Sequence, residues 1–263
     1  MRPDVVGSGQ SDQKIIGDDG EIMLTKFRTV FVAVFLLLPV ASFGQTEGCG
    51  DPSRRDGGGY GPYDYTSPVD KVEHLPIVEQ FHFTSDVENL IHGNTGSVGG
   101  DLDYTIRAFP NHHRALDAAS RLSIKLKSAR PPGLQCSVEG YFERGIRFKP
   151  DDAVLRMIYG LHFHRWKRPD QAKQQLEQAA RLAPEDRNIA YNLGLIYVDL
   201  KEWDKASEYA EKAYGAGFPL PGLKNKLVKA GKWKEPRATP PGAEDASTAV
   251  AKPAGQPPGE TRQ

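Results

Sequence analysis

The stretch Tyr191-Asn192-Leu193-Gly194-Leu195-Ile196-Tyr197 decides the fold of this 263-residue chain. It lies in the second copy of a pattern that recurs after 34 residues, between about residues 150 and 218. Identical residues mark this spacing in four pairs: Pro150 and Pro184, Gly160 and Gly194, Ala172 and Ala206, and Ala179 and Ala213. A repeat of this length predicts a stack of similar units, because one unit cannot bury its own apolar faces.

Each unit is predicted to form two antiparallel helices, which we term helix A and helix B. In the first copy, helix A is expected over 152–166 and helix B over 169–182. Asp152 suits the start of helix A because its carboxylate can accept hydrogen bonds from free N–H groups, and Pro169 suits a first helical turn. Gly160 costs about 1 kcal/mol relative to alanine, so we expect it where the paired helix approaches closely. The chain is therefore predicted to be all-α.

These residues resemble the tetratricopeptide repeat family, whose units carry small residues at the positions of Gly194, Ala206 and Ala213. The resemblance implies a stack of helix hairpins, and we expect about three repeats, at 113–152, 153–186 and 187–220. The first repeat is degenerate, because Pro110 precedes its counterpart Pro150 by 40 residues. A cap helix is expected at 221–231, with one apolar and one lysine-rich face, which closes a domain spanning 101–235.

The resemblance also implies a binding groove, since helix A lines the concave face in this family. It carries that role onto nine residues: Met157, Leu161, His164, Arg165, Asn188, Tyr191, Asn192, Leu195 and Asp199. Asn192 matches an asparagine that often bonds the backbone of a ligand. The family's clamp for terminal carboxylates needs lysine or arginine where Met157 and Leu161 stand. The mixed groove therefore indicates a protein partner that presents a peptide segment or an amphipathic helix, or a groove filled by the chain's own amino-terminal segment.

An export signal is predicted at 23–44, where charged Lys26 and Arg28 precede an apolar run and a small-x-small site at Ser42 and Gly44. Residues 1–22 are then a non-native or disordered extension, with Met23 as the start. The alternative is an inner-membrane anchor formed by 27–43, although this run is short for a membrane span. We expect an exported protein in the bacterial periplasm, with no membrane contact after cleavage.

Export gives the two cysteines, Cys49 and Cys136, a chance to pair, because disulfides persist in oxidising compartments. The bond would close a loop of 87 residues, worth about 4 kcal/mol in the chain-entropy account. Its expected role is to tether the amino-terminal segment to the repeats. The alternative is two unpaired thiols, with Cys136 buried on a helix.

The segment 45–100 is expected to be irregular, with a short strand over 75–84 and a glycine-rich loop over 93–100. Residues 236–263, rich in proline, alanine and glycine, are expected to be disordered. The runs 60–65 and 100–113 resemble an uncharacterised family of exported bacterial repeat proteins, a resemblance that covers about 49–233 and implies no established activity.

Enzymatic and metal chemistry find little support in the sequence. His162 and His164 lie two apart on a predicted helix and point to different faces, and adjacent His112 and His113 likewise diverge. The chain has no HExxH and no GxSxG motif, while Asp101 and Asp103 fit turn chemistry as well as catalysis. We expect no metal, no cofactor and no catalytic residue.

The balance of 34 basic and 34 acidic residues argues against a nucleic-acid partner. The predicted function is thus a non-enzymatic scaffold for protein partners. The alternative is a small-ligand-binding or enzymatic site between residues 60–113 and the repeats.

Overall fold

A computed structural model of the chain describes residues 49–50 and 60–233. The predicted extension 1–22, the signal peptide 23–44 and the tail 236–263 lie outside these residues. Within the described part the structure is helical and none of its residues forms a strand, which confirms the all-α prediction. No helix in this part is long and apolar enough to cross a membrane.

Eleven helices account for the regular structure of residues 60–233. In chain order they are α1 (Pro68–Glu73), α2 (Leu75–His82), α3 (Ser85–Glu88), α4 (Val98–Ala108), α5 (His113–Leu126), α6 (Val138–Phe148), α7 (Ala153–Arg165), α8 (Pro169–Leu182), α9 (Arg187–Asp199), α10 (Trp203–Gly215) and α11 (Gly222–Lys229). The pairs α5–α6, α7–α8 and α9–α10 correspond to the three predicted repeats, and α11 to the cap helix.

The local sequence explains where the repeat helices begin and turn. Asp152 accepts a hydrogen bond from the Leu155 N–H at the start of α7, and Asp186 accepts one from the Ile189 N–H at the start of α9. Lys167 and Lys201, 34 residues apart, both have φ of 59° directly after their A helices. The repeat therefore extends to the left-handed residue that reverses the chain between helix A and helix B.

Close packing explains the two repeated glycines. A Cβ atom on Gly160 would lie 2.8 Å from Leu176 Cγ and 3.1 Å from the Ala172 carbonyl oxygen, both on the paired helix α8. A Cβ atom on Gly194 would instead lie 2.5 Å from Leu223 Cδ2 of the cap helix α11. The expected approach of the paired helix thus holds at Gly160, whereas Gly194 makes room for the cap.

The segment before the repeats contains more helix than we predicted. Residues 75–82 form α2 rather than a strand, and α1 and α3 flank it, so the described part of 45–100 is only partly irregular. The physical reason is that Leu75, Val78 and His82 also follow helical spacing, and a proline stands in the first turn of α2.

Helix α4 extends the stack towards the amino terminus. Ser97 accepts from the Gly100 N–H at the start of α4, as Ser137 accepts from the Gly140 N–H at the start of α6, exactly one 40-residue step later. Helix α4 packs between α2 and α5. A continuous apolar core runs from Phe83 to Leu227 and joins this amino-terminal layer to the repeats.

Candidate protein-binding groove

The A helices stand side by side, since α5 contacts α7, α7 contacts α9, and α9 contacts α11. The predicted groove residues differ in how much of each is accessible. Six are half-buried: Met157, Leu161, His164, Arg165, Asn192 and Leu195. Asn188 and Asp199 are exposed, and Tyr191 is buried.

Tyr191 is the groove residue that the structure places differently. Its side chain is covered by Phe218, with ring centroids 4.0 Å apart in a stacked arrangement, and Tyr191 is 9% exposed. Its hydroxyl also lies 2.5 Å from the position of a Cβ atom on Gly222. Tyr191 therefore supports the linker that leads to the cap helix, and it is not accessible to a partner as predicted.

Arg165 lies on the predicted face but is held by helix α5. Its Nη2 donates to Asp117 Oδ1 at 2.7 Å, and its Nη1 donates to Ser120 Oγ at 2.9 Å. Asp117 stands 40 residues before Met157, so the longer repeat step places it at the equivalent groove position. That correspondence is the sequence signal that identifies Asp117 as a further residue of this face.

A second ionic contact crosses the next two helices. His164 Nε2 lies 2.8 Å from Asp199 Oδ2, and Lys226 Nζ lies 3.0 Å from Asp199 Oδ1. Burial alone would raise the pKa of Asp199, but hydrogen bonds from Lys226 and His164 lower it overall. The carboxylate therefore stays ionised and links α7, α9 and α11.

Between these ionic contacts lies a mixed surface, which we call the α7–α9 groove, formed by Met157, Leu161, Asn188, Asn192 and Leu195. Asn192 Nδ2 donates to the Asn188 carbonyl oxygen at 2.8 Å and lies 3.8 Å from Met157 Sδ. Met157 and Leu195 pack partly against the core. The groove thus offers a partly exposed apolar floor beside an amide.

The described amino-terminal helices do not fill this groove. Helices α2 and α3 pack against α4, and α3 also packs against α5. The disulfide between Cys49 and Cys136, whose Cα atoms are 5.6 Å apart, fixes the first described residues beside the start of α6. Arg147 Nη2 adds a hydrogen bond to the Gly50 carbonyl oxygen at 3.2 Å.

The alternative region, residues 60–113, holds a buried network of polar side chains. Asn111 Nδ2 donates to Asp64 Oδ1 at 2.8 Å and to Asp152 Oδ2 at 3.1 Å. His113 Nε2 lies 2.8 Å from the same Asp152 carboxylate, and His112 Nε2 lies 3.2 Å from Glu79 Oε1. Burial would raise the pKa of Asp152, but the bonds from His113, Leu155 N–H and Asn111 lower it overall. This network fastens the amino-terminal segment to α5 and α7.

Asp101 and Asp103 lie inside helix α4, not in a turn as we expected. The Asp101 carboxylate accepts from the backbone N–H groups of Asn94 and Thr95, whereas Asp103 bonds Tyr141 and Arg107. Their partners lie in different directions, so the two carboxylates do not form a pair. Among the described residues no group of three or more histidine, cysteine or acidic side chains is placed to hold a metal ion.

The predicted divergence of the histidine pairs is found in both cases. His162 is buried with its Nδ1 3.0 Å from Ser120 Oγ, whereas His164 bonds Asp199 at the surface. In the described part no buried side-chain nitrogen or oxygen lacks a hydrogen-bond partner. The residues we inspected for chemistry are thus held in structural contacts, apart from the half-exposed groove and one pocket taken up below.

Comparison with known proteins matches this architecture to a repeat family. The profile of the Tetratricopeptide repeat family matches residues 188–216, which span most of α9 and α10. No curated protein sequence shows significant similarity to the chain. A solved structure reported as "Functional Characterization of Pseudomonas Aeruginosa pilF" is similar at 20% identity, covering 59% of this chain and 67% of that chain with a TM-score of 0.42. The matched repeat, with the equivalent hairpin α7–α8 before it, identifies the chain as a tetratricopeptide repeat protein.

Proposed function

We propose that this protein is an exported scaffold that binds a protein partner through the α7–α9 groove. The observation that carries the proposal is the partly exposed floor of Met157, Leu161 and Leu195 beside the Asn192 amide. Apolar side chains of a partner can pack on this floor, while a partner backbone can bond to Asn188 and Asn192. A non-enzymatic role is part of this proposal.

The charges around the groove favour one kind of partner. Arg165 is paired with Asp117, and Lys226 with Asp199, so these cations do not offer a clamp for a terminal carboxylate. A segment that presents apolar side chains on one face, either extended or helical, fits this surface better. We therefore propose an internal segment of a partner protein as the ligand.

The export proposal rests on the signal-like stretch 23–44 and on the cysteine pair. A disulfide persists in an oxidising compartment such as the bacterial periplasm, and the Cys49–Cys136 bond lies after the proposed cleavage site. The balanced charge of the whole chain supports a protein partner more than a nucleic acid.

Affinity capture from an envelope extract of the source organism tests the groove. The bait is the exported chain, compared with a triple variant Leu161→Ala, Asn192→Ala and Leu195→Ala. Leu182→Ala is the matched control, because Leu182 is an exposed leucine on helix α8. We expect a protein that the wild type and Leu182→Ala retain and that the folded triple variant loses. Equal capture by the triple variant contradicts the proposal.

A further inference from the structure

A small pocket opens on the amino-terminal layer, between α2 and α4. It has a volume of about 190 Å³ and aromatic or aliphatic walls, formed by Tyr60, Ile77, Val78, Phe81, His82 and Tyr104. Phe81 is 47% exposed and Ile77 is 50% exposed. Large apolar side chains that remain open to solvent around a concave surface mark a place where another apolar group can pack.

One polar group of this pocket is held in a fixed orientation. The His82 ring stacks on Tyr104, with centroids 3.8 Å apart and an interplanar angle of 25°. Its Nδ1 lies 2.9 Å from Asp101 Oδ1 and 3.2 Å from Thr95 Oγ1. Stacking fixes the plane of the imidazole, and the two oxygens fix which edge of the ring faces inward.

The buried carboxylate behind the ring decides where the imidazole carries its proton. Asp101 is 1% exposed, and burial alone would raise its pKa, but hydrogen bonds from Thr95 and His82 lower it overall. An ionised carboxylate can only accept hydrogen bonds, so Nδ1 of His82 carries the proton that it donates to Asp101. In the neutral ring Nε2 is then an acceptor.

The Nε2 atom is available to a ligand. No described residue forms a hydrogen bond with it, and no buried side-chain nitrogen of the described part lacks a partner. Nε2 of His82 is therefore accessible to solvent, on a ring that lines the pocket. A purely structural carboxylate–histidine pair would not require exposed Ile77 and Phe81 beside that acceptor.

We propose that this pocket binds an aromatic ring that carries a hydrogen-bond donor, such as a phenol or an indole. The ring would pack among Tyr60, Phe81 and Tyr104, and its O–H or N–H would donate to Nε2 of His82. The ring is supplied either by a free small molecule or by a tyrosine or tryptophan side chain of a bound protein. This site is separate from the α7–α9 groove, so its failure leaves the proposed groove untouched.

Titration with phenol, followed by nuclear magnetic resonance of the ¹⁵N-labelled imidazole, tests the site directly in the whole chain. We expect saturable shifts of the His82 Nε2 signal with a dissociation constant of about 1 mM, within the range open to so small a ligand. Anisole has the same ring without the donor, so it should bind about 3- to 10-fold more weakly, the effect of one hydrogen bond. Equal binding of the two, or no saturable shift, overturns the proposal.

Two variants separate occupancy of the pocket from general damage. Ile77→Trp fills the pocket from its rim and should abolish the phenol shifts, whereas Val72→Trp should preserve them because Val72 is 77% exposed and does not line the pocket. His82→Gln should remove the preference for phenol over anisole. Loss of binding in Val72→Trp equal to that in Ile77→Trp contradicts the assignment.

A second ligand identifies the source of the ring. N-acetyltyrosinamide carries the same phenol on a peptide backbone. Binding of both ligands supports a protein side chain as an occupant, and binding of phenol alone supports a free small molecule. Binding of neither ligand overturns the proposal.

Discussion

His164 Nε2 and Asp199 Oδ2 lie 2.8 Å apart and join α7 to α9 across the A-helix face. The same carboxylate accepts from Lys226 of α11 at 3.0 Å, and Arg165 reaches back to Asp117 of α5 at 2.7 Å. Ionic contacts therefore follow one face of the stack from its first repeat to its cap. They set the spacing of the A helices on which the proposed groove depends.

Replacing Asp199 with asparagine should weaken this row only modestly. The contact is partly solvent-exposed, so we expect a loss of at most about 1 kcal/mol in the free energy of unfolding. Because the folded-state pKa of Asp199 is lowered, its contribution is present above the unfolded pKa and is lost as the pH falls. Urea unfolding at pH 7 in low and high salt checks this, since salt should shrink the difference from wild type. An equal difference at both salt concentrations contradicts an ionic origin.

Gly160→Ala should destabilise the protein although alanine favours helices. The new methyl would lie 2.8 Å from Leu176 Cγ and 3.1 Å from a backbone oxygen, and overpacking of this kind costs about 1–3 kcal/mol. Gly215→Ala is the control, since no atom lies within 4 Å of its added Cβ; it should be neutral or stabilising by up to about 1 kcal/mol. Urea unfolding measures both, and stabilisation by Gly160→Ala contradicts the packing role.

Asp152→Ala should destabilise far more than Asp186→Ala, although both residues begin A helices. Asp186 bonds the N–H groups of Asn188 and Ile189, so its loss should cost about 1 kcal/mol. Asp152 also bonds His113 and Asn111, and breaking these buried contacts should bring the cost to about 3 kcal/mol. Thermal or urea unfolding gives the comparison; equal effects would show that the buried network adds no stability.

His162 should make the protein less stable in mild acid. Burial, with smaller effects from Arg165 and Arg168, lowers its pKa to about 3, below an unfolded value of about 6.5. Below pH 6.5 the unfolded chain takes up a proton that the folded chain refuses, so stability falls by about 1.4 kcal/mol per pH unit. His162→Gln should reduce this slope by one proton, as measured by urea unfolding from pH 7 to pH 4.5.

Two features make the His162 experiment specific. Burial also lowers the pKa of His112, so part of the slope should persist in His162→Gln. His92→Gln serves as control because the His92 side chain is exposed, and it should leave the slope unchanged. An unchanged slope in His162→Gln contradicts the prediction.

The disulfide should contribute measurably to stability. A bond between Cys49 and Cys136 closes 87 residues, and its removal should cost about 4 kcal/mol in the chain-entropy account. Wild-type protein should therefore unfold at lower urea in dithiothreitol, whereas the double variant Cys49→Ser and Cys136→Ser should ignore the reductant. Identical curves for wild type with and without reductant would contradict the contribution.

The repeats were predictable because packing restricts their residues. Gly160 is small since Leu176 and a backbone oxygen leave no room for a side chain, and Asp152 and Asp186 satisfy free N–H groups at equivalent helix starts. Such constraints recur with the unit, so one sequence reveals them. Tyr191 was placed wrongly because Phe218, which covers it, belongs to a linker whose path no repeat determines.

The amino-terminal layer was harder to predict because its contacts are unique. The apolar residues of 75–84 satisfy both strand and helix spacing, and the structure resolves this in favour of α2. The His82 pocket brings together residues from 60 to 104, and none of its contacts recurs elsewhere in the chain. The 40-residue correspondence between Ser97-Val98 and Ser137-Val138 was a usable signal for the start of α4.

The two ends of the stack are fastened very differently, and this gives the molecule a direction of unravelling. The amino-terminal end is held by a covalent bond and by the buried contacts of Asp152, whereas the short helix α11 buries Leu223 and Leu227. In a stack where each unit depends on its neighbours, loss of α11 uncovers Gly194 before any other repeat is disturbed. Opening should therefore start at the cap and travel backwards, so that amide exchange is fastest in α11 and slows towards α5.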